Sequence, residues 1–223
     1  MTMRYPVYLT LIFGLLALAV TLRMRDSAGR TRRSQSVSSL AALWELSRLT
    51  VRAGGWIVHT PLALAIILYA MTIDHTLRLI VTLTSKYYRL IDLPEASFGL
   101  IGSLVAVLGL FVPRLARGMV ERFSPARNLL LLGGGSLVVL GGLTVFVPYL
   151  GVLPMVAVFV ALTLTSFFTS HYLNEIAESH QRATVLSFKG LAFNAAYGGI
   201  GLVFAGLMQR LRDTTALLHP EWR

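Results

Sequence analysis

The sequence predicts an all-α fold, a polytopic membrane helix bundle with six transmembrane helices. Hydrophobic residues make up 55% of the 223 residues and charged residues only 13%, against about 25% charged residues in a typical soluble domain. Six apolar stretches are long enough to cross a bilayer, which takes about 20 apolar residues. The loops between them place most of the arginine on alternate sides, as polytopic membrane proteins do.

The predicted spans occupy most of the chain. In order, they lie at 5–22, 56–83, 97–113, 129–147, 152–172 and 184–208. We therefore divide the chain into a first transmembrane helix at 1–23, a basic cytoplasmic loop at 24–55, a five-helix transmembrane bundle at 56–208 and a short polar tail at 209–223.

The basic residues predict how the bundle is oriented. The loops after the first, third and fifth spans lie on one side of the membrane and contain twelve arginines. The two termini and the remaining loops lie on the other side and contain six basic residues. The positive-inside rule assigns the first side to the cytoplasm, with the protein in the cell membrane. These loops face anionic lipid headgroups, which accounts for the net charge of +10. We therefore expect the lipid bilayer as a partner and no nucleic acid, since no basic-aromatic binding module is present.

The loop at 24–55 contains a candidate surface helix. From Ser39 onward, leucines and Trp44 mix with Glu45, Arg48 and Arg52. This pattern is typical of a helix that lies in the headgroup region, with its apolar face down and its arginines near phosphate. The alternative is a linker that packs on the bundle.

Ionisable residues inside the second predicted span mark a candidate site. Asp74, His75 and Arg78 share one helical stripe with Met71 and Thr82. Counted from Trp56, Asp74 lies about 6 Å beyond the middle of that span. In one interpretation the stripe lines a pathway, where Arg78 attracts an anion and Asp74 or His75 carries a proton. In the other, Asp74 and Arg78 form a structural pair near the outer rim.

Two further groups of polar residues interrupt the apolar pattern, one in the sixth span and one at the end of the fifth. In the sixth span we expect Lys189 to reach the interface, and Asn194 to face another helix as part of the substrate or proton pathway. At the end of the fifth span His171, Glu175 and Glu178 share a helix face. A divalent metal site and a solvated loop of alternating charge both fit this group, and we assign no metal to it.

The string Arg182-Ala-Thr-Val-Leu-Ser187 opens the sixth predicted span. It resembles the run that opens the eleventh helix in bacterial members of the major facilitator superfamily. In that register the six spans resemble helices six to eleven, the C-terminal half of the family fold, shortened at both ends. The stretch at 115–127 falls where the family repeats a basic loop motif, which Glu121, Arg122 and Arg127 match in part.

The resemblance implies a secondary active transporter. Such a protein moves a small solute across the cytoplasmic membrane by alternating access, coupled to protons or another ion. It implies a cytoplasmic gate at Glu121, Arg122, Arg127 and Arg182. It also implies a missing N-terminal half or another chain, because helices one to five have no counterpart. The alternative is a truncated remnant or accessory membrane subunit that transports nothing.

The sequence gives no indication of catalysis. The chain has no cysteine, which excludes disulfides, thiolate metal sites and thiol catalysis. Asp74 is the only aspartate within a predicted span, and neither a zinc-protease helix motif nor a serine elbow is present. We therefore expect a small-molecule or ion substrate, no cofactor and no enzymatic activity.

Overall fold

The computed structural model describes residues 4–23 and 39–218, which form helices joined by short connections. The helices are α1 (Arg4–Arg23), α2 (Ser39–His59), α3 (Pro61–Thr82), α4 (Thr84–Leu90), α5 (Ser97–Gly109), α6 (Val112–Arg122), α7 (Pro125–Leu143), α8 (Val152–Ile176) and α9 (Arg182–Leu218). The predicted all-α class is confirmed over these ranges.

Five helical segments are long and apolar enough to cross a membrane. They are Pro61–Thr82, Ser97–Arg122, Pro125–Leu143, Val152–Ile176 and Arg182–Leu211. They coincide with the second to sixth predicted spans and indicate a multi-pass membrane protein. The first predicted span coincides with α1, of which Leu11–Arg23 is an apolar helix shorter than a span. That first span therefore stays a prediction.

The chain divides into two compact units, Met1–Trp44 and Glu45–Arg223. In the first unit, the described side chains of α1 from Leu11 onward are exposed and mostly apolar. The hydrophobic core and the candidate sites lie within the second unit.

Helix α8 is the centre of the second unit. It packs against α3, α5, α6, α7 and α9, and its side chains Met155, Val158, Phe168 and Leu173 are fully buried. A helix with neighbours on most sides needs apolar residues around most of its circumference, and the sequence of α8 has them. The bundle is therefore organised around the fifth predicted span.

Three prolines begin helices in this bundle. Pro61, Pro113 and Pro125 each lie in the first turn of their helix, where no intrahelical partner is needed for the missing N–H. The predicted start of the second span at Trp56 is therefore wrong: α2 ends at His59, Thr60 is extended, and α3 begins at Pro61. Near the predicted end of the third span at Pro113 the helix is interrupted: α5 ends at Gly109, and α6 runs from Val112 to Arg122.

The polar segments at either end of the bundle contain more helix than predicted. The segment predicted as a surface helix is helical as α2, which runs past Arg52 to His59, and its Ala53 and Ile57 are buried in a hydrophobic cluster of the bundle. Residues 24–38 of that loop lie outside the described ranges. The predicted polar tail from 209 is helical as far as Leu218. No proline or glycine interrupts the sequence between Met208 and Pro220, so the helix of the last span continues.

The α4–α5 and α7–α8 connections are joined by direct contacts. The backbone N–H of Tyr149 donates to the carbonyl of Ile91 at 3.0 Å, and the Tyr87 hydroxyl donates to the carbonyl of Gly151 at 3.1 Å. The ring of Tyr87 also packs against Phe146, with the ring centres 5.9 Å apart. These bonds hold α4, which follows the end of α3, against the start of α8.

Candidate functional site

A carboxylate–guanidinium pair lies inside α3. Arg78 Nε donates to Asp74 Oδ2 at 3.0 Å and Arg78 Nη2 donates to Asp74 Oδ1 at 3.1 Å. The pair is thus bidentate, the stronger of the geometries open to arginine and a carboxylate. The Asp74 side chain is 7% exposed, whereas that of Arg78 is 41% exposed. The aspartate is therefore the enclosed member of the pair.

His75 makes a second contact with the same carboxylate. Its Nδ1 lies 3.3 Å from Asp74 Oδ2, and the histidine side chain is only 6% exposed. The other ring nitrogen, Nε2, is buried and has no hydrogen-bond partner among the described residues. A buried unpaired nitrogen is costly, so His75 Nε2 is a position where a proton, a water molecule or a ligand would be stabilised.

The opposite wall of the site is an aromatic stripe on α9. The ring centre of His75 lies 5.7 Å from that of Phe193 and 5.9 Å from that of Tyr197, and the Arg78 guanidinium lies 5.3 Å from the centre of the Tyr197 ring. A cation over the face of a tyrosine is attracted by the negative face of the ring. We call Asp74, His75, Arg78, Phe193 and Tyr197 the α3–α9 cluster.

The cluster lies nearer the middle of its helix than the sequence suggested. Because α3 begins at Pro61 and ends at Thr82, Asp74 lies about 4 Å beyond the helix midpoint and Arg78 about 10 Å beyond it. The earlier start predicted at Trp56 placed the midpoint too far toward α2. An aspartate this close to the middle of a span needs a partner or a polar cavity, and Arg78 with His75 supplies the partner.

Two polar residues of α9 lie outside the α3–α9 cluster. Asn194 is exposed on α9 and is not brought to the cluster, because its neighbour Phe193 faces α3 and successive helical residues point about 100° apart. Lys189 contacts α8 and the cluster ring of Phe193. Its ammonium donates to the Ser170 hydroxyl on α8 at 2.9 Å and lies 5.7 Å from the centre of the Phe193 ring.

The predicted gate residues lie at two separate helix junctions. Glu121 and Arg122 are exposed at the end of α6, and Arg127 in the first turn of α7 places its guanidinium 4.5 Å from the centre of the Phe123 ring. Arg182 begins α9 and donates from Nε to the carbonyl of Ala177 at 3.2 Å. Arg127 thus contacts the α6–α7 junction and Arg182 the α8–α9 junction. No ion pair joins the four predicted gate residues to one another among the described residues.

A buried amide that the sequence did not indicate lies at the α6–α7 junction. Asn128 is fully buried, and its Nδ2 lies 2.8 Å from the Tyr172 hydroxyl on α8 and within reach of the carbonyls of Met119 and Phe123. One side chain therefore ties the end of α6, the start of α7 and the middle of the bundle together. The only signal in the sequence is a single asparagine at the edge of an apolar stretch, which is also typical of a loop.

The candidate metal ligands do not converge. His171 Nε2 lies 3.2 Å from Glu175, a contact without hydrogen-bond geometry, while Glu178 pairs with His180 at 3.4 Å. Among residues 4–23 and 39–218, no group of three His, Asp or Glu side chains is placed to hold a metal ion. The alternating charge at this junction forms neighbouring pairs instead.

The α3–α9 cluster offers two kinds of chemistry. A histidine ring nitrogen without a partner can accept a hydrogen bond or a proton, and an arginine with unused N–H groups can donate to an anion. Comparison of the chain with family models, with curated proteins and with solved structures finds no match. The resemblance of Arg182–Ser187 to the major facilitator superfamily therefore stays a prediction, and the cluster is the main guide to function.

Proposed function

We propose that this chain is part of a secondary active transporter that moves a small solute across the cell membrane, coupled to protons or another ion. The α3–α9 cluster is the proposed substrate or proton pathway. The observation that carries the proposal is the buried, unpartnered Nε2 of His75 beside the Asp74–Arg78 pair. A merely structural pair needs no third ionisable group with an unsatisfied nitrogen.

The electrostatics favour a proton-linked step. Asp74 accepts from Arg78 and contacts His75, so protonation of His75 adds a positive charge next to a carboxylate that already has one cationic partner. The two cations then compete for Asp74, and Arg78, whose side chain is the more exposed, is the one free to turn toward a solute. Arg78 favours an anionic solute.

Alternating access requires two helix bundles that rock against each other. The second unit of this chain supplies one bundle organised around α8. We propose that the other bundle comes from outside these 223 residues, in line with the resemblance to one half of a major facilitator fold. The predicted gate at Glu121, Arg122, Arg127 and Arg182 belongs to this proposal, as residues that would meet the second bundle.

The test is counterflow in proteoliposomes that contain the assembly with this chain. The vesicles are loaded with unlabelled lactate, benzoate or succinate, three small organic acids, and uptake of the labelled form is measured with and without an imposed pH gradient. The variants are His75→Gln, which cannot take a proton on its side chain, and Arg78→Gln. Thr76→Val is the matched control, since Thr76 is exposed on another face of α3.

The expected result is uptake that depends on the pH gradient, is lost in both site variants and is retained in Thr76→Val. Uptake that is unchanged in His75→Gln and Arg78→Gln would remove the pathway from the α3–α9 cluster. A correctly folded assembly that moves none of the three acids, and shows no proton flux when they are added, favours the non-transporting accessory subunit.

A further inference from the structure

A cavity of about 390 Å³ lies between α2 and the start of α9, away from the α3–α9 cluster. Its α2 wall is formed by one helical stripe that includes Leu49, Arg52, Trp56 and His59, and its other wall includes His180 and Thr184. The two walls are held together by close packing, because Gly54 lies so near the Phe188 ring that an added Cβ would lie 2.6 Å from Cε2.

The position of the cavity in the chain fixes its depth. The α2 wall ends at His59, two residues before the span that begins at Pro61. The α9 wall surrounds Arg182, where the last span begins. Both spans therefore start at the level of the cavity, which places it at the boundary between the hydrocarbon and the water.

The cavity lining combines positive charge with an apolar surface. Arg52 is exposed and forms no ion pair among the described residues, while His59 Nδ1 lies 2.7 Å from the carbonyl of Gly55, which leaves Nε2 for another partner. His180 contacts Glu178 at 3.4 Å, but among the described side chains no acidic residue lines the cavity itself. Leu49 and Trp56 supply the apolar side.

We propose that this cavity binds the phosphate of an anionic phospholipid headgroup. A guanidinium and imidazole N–H groups are suitable donors to phosphate oxygens, and tryptophan is enriched at the headgroup level. A free phosphate offers the same oxyanion, but an occupant at this depth with leucine and tryptophan beside it gains from having acyl chains that continue into the bilayer. The assignment does not depend on whether the chain transports a solute.

The test is lipid binding to the whole chain in detergent micelles, measured by native mass spectrometry. Dioleoyl phosphatidylglycerol is the anionic probe, dioleoyl phosphatidylcholine has the same acyl chains without net charge, and millimolar inorganic phosphate is added as a competitor. Arg52→Gln removes the charge that lines the cavity. Arg48→Gln is the matched control, because Arg48 is an exposed arginine one turn earlier on α2 that does not line the cavity.

The expected result is one tightly held phosphatidylglycerol whose affinity falls about fivefold or more in Arg52→Gln and less than about twofold in Arg48→Gln. Equal losses in both variants would overturn the proposal, since they would indicate diffuse attraction to the charge of α2. Phosphatidylcholine binding with equal affinity would also overturn it. If inorganic phosphate displaces the lipid, and if this displacement requires Arg52, the occupant is a soluble phosphate and the lipid assignment is overturned.

Discussion

Removing one member of the Asp74–Arg78 pair should cost very different amounts depending on which member is removed. In Arg78→Gln the Asp74 carboxylate stays in place with a side chain that is 7% exposed, close to the middle of the span. A charge there costs about 2.5–3.5 kcal/mol on insertion scales. We expect Arg78→Gln to lower the free energy of unfolding by about that amount.

The reverse variant leaves a cation that can move. In Asp74→Asn the Arg78 side chain starts from 41% exposure and about 10 Å from the helix midpoint, so it can extend toward the nearer interface. We expect a loss of only about 1 kcal/mol, because a cation that reaches the interface recovers most of its solvation. The double variant Asp74→Asn with Arg78→Gln keeps a polar pair at four-residue spacing and should lose about 1 kcal/mol as well.

The assay is reversible unfolding of the chain in mixed micelles, with increasing sodium dodecyl sulfate and circular dichroism as the readout. The double-mutant cycle should give a coupling energy of about 2.5–3.5 kcal/mol, at the upper end of the range for contacting residues. Thr76→Val, on an exposed face of the same helix, should change stability by less than about 0.5 kcal/mol. Equal losses in the two single variants, or a coupling below about 0.5 kcal/mol, would refute the asymmetry.

Three further predictions follow from close contacts elsewhere in the bundle. A Cβ added at Gly133 would overlap with the Tyr69 hydroxyl, so Gly133→Ala should cost about 1–3 kcal/mol and Tyr69→Phe should rescue part of it. Gly134→Ala, with open space around the added atom, should be neutral or stabilising by up to about 1 kcal/mol; the same unfolding assay separates them. Asn128→Leu should cost about 2–4 kcal/mol, because the buried Tyr172 hydroxyl loses its partner and the part-buried carbonyl of Phe123 loses the amide donor, and a loss below about 1 kcal/mol would contradict the bonding seen. Burial raises the pKa of Tyr87 above its ordinary value of about 10. The folded state therefore holds the phenol proton more tightly than the unfolded state, and the stability this gives is present below pH 10 and is lost as the pH rises further. Thermal unfolding between about pH 8 and 11 should show this loss in the parent chain and a smaller one in Tyr87→Phe.

The part of the site on α3 could be predicted from the sequence because helical spacing is local. Residues 74, 75 and 78 fall on one face of any α-helix, whatever packs against it. The depth was less accurate because it depended on the start of the helix, and Pro61 begins α3 where the apolar pattern alone had suggested continuity from Trp56.

The part of the site on α9 was not predictable in the same way. Phe193 and Tyr197 are aromatic residues in an apolar span, where nearly every residue is apolar and the face that meets another helix leaves no clear mark. Asn194 was chosen because it is polar, yet it is exposed while its neighbour faces α3. The regular spacing of Lys189, Phe193 and Tyr197, four residues apart, was the available signal, and it is weak without knowledge of the partner helix.

The central position of α8 has a consequence for biogenesis. Synthesis runs from the N-terminus, so α3, α5, α6 and α7 reach the bilayer before the helix that each of them packs against. Until α8 emerges, the Asn128 amide lacks the Tyr172 hydroxyl and the faces of four helices that become core are open to lipid. Before that point the nascent bundle has only the smaller contacts among α3, α5, α6 and α7. It closes when its next-to-last span is inserted, and a ribosome stalled before Val152 leaves a set of helices without their common partner.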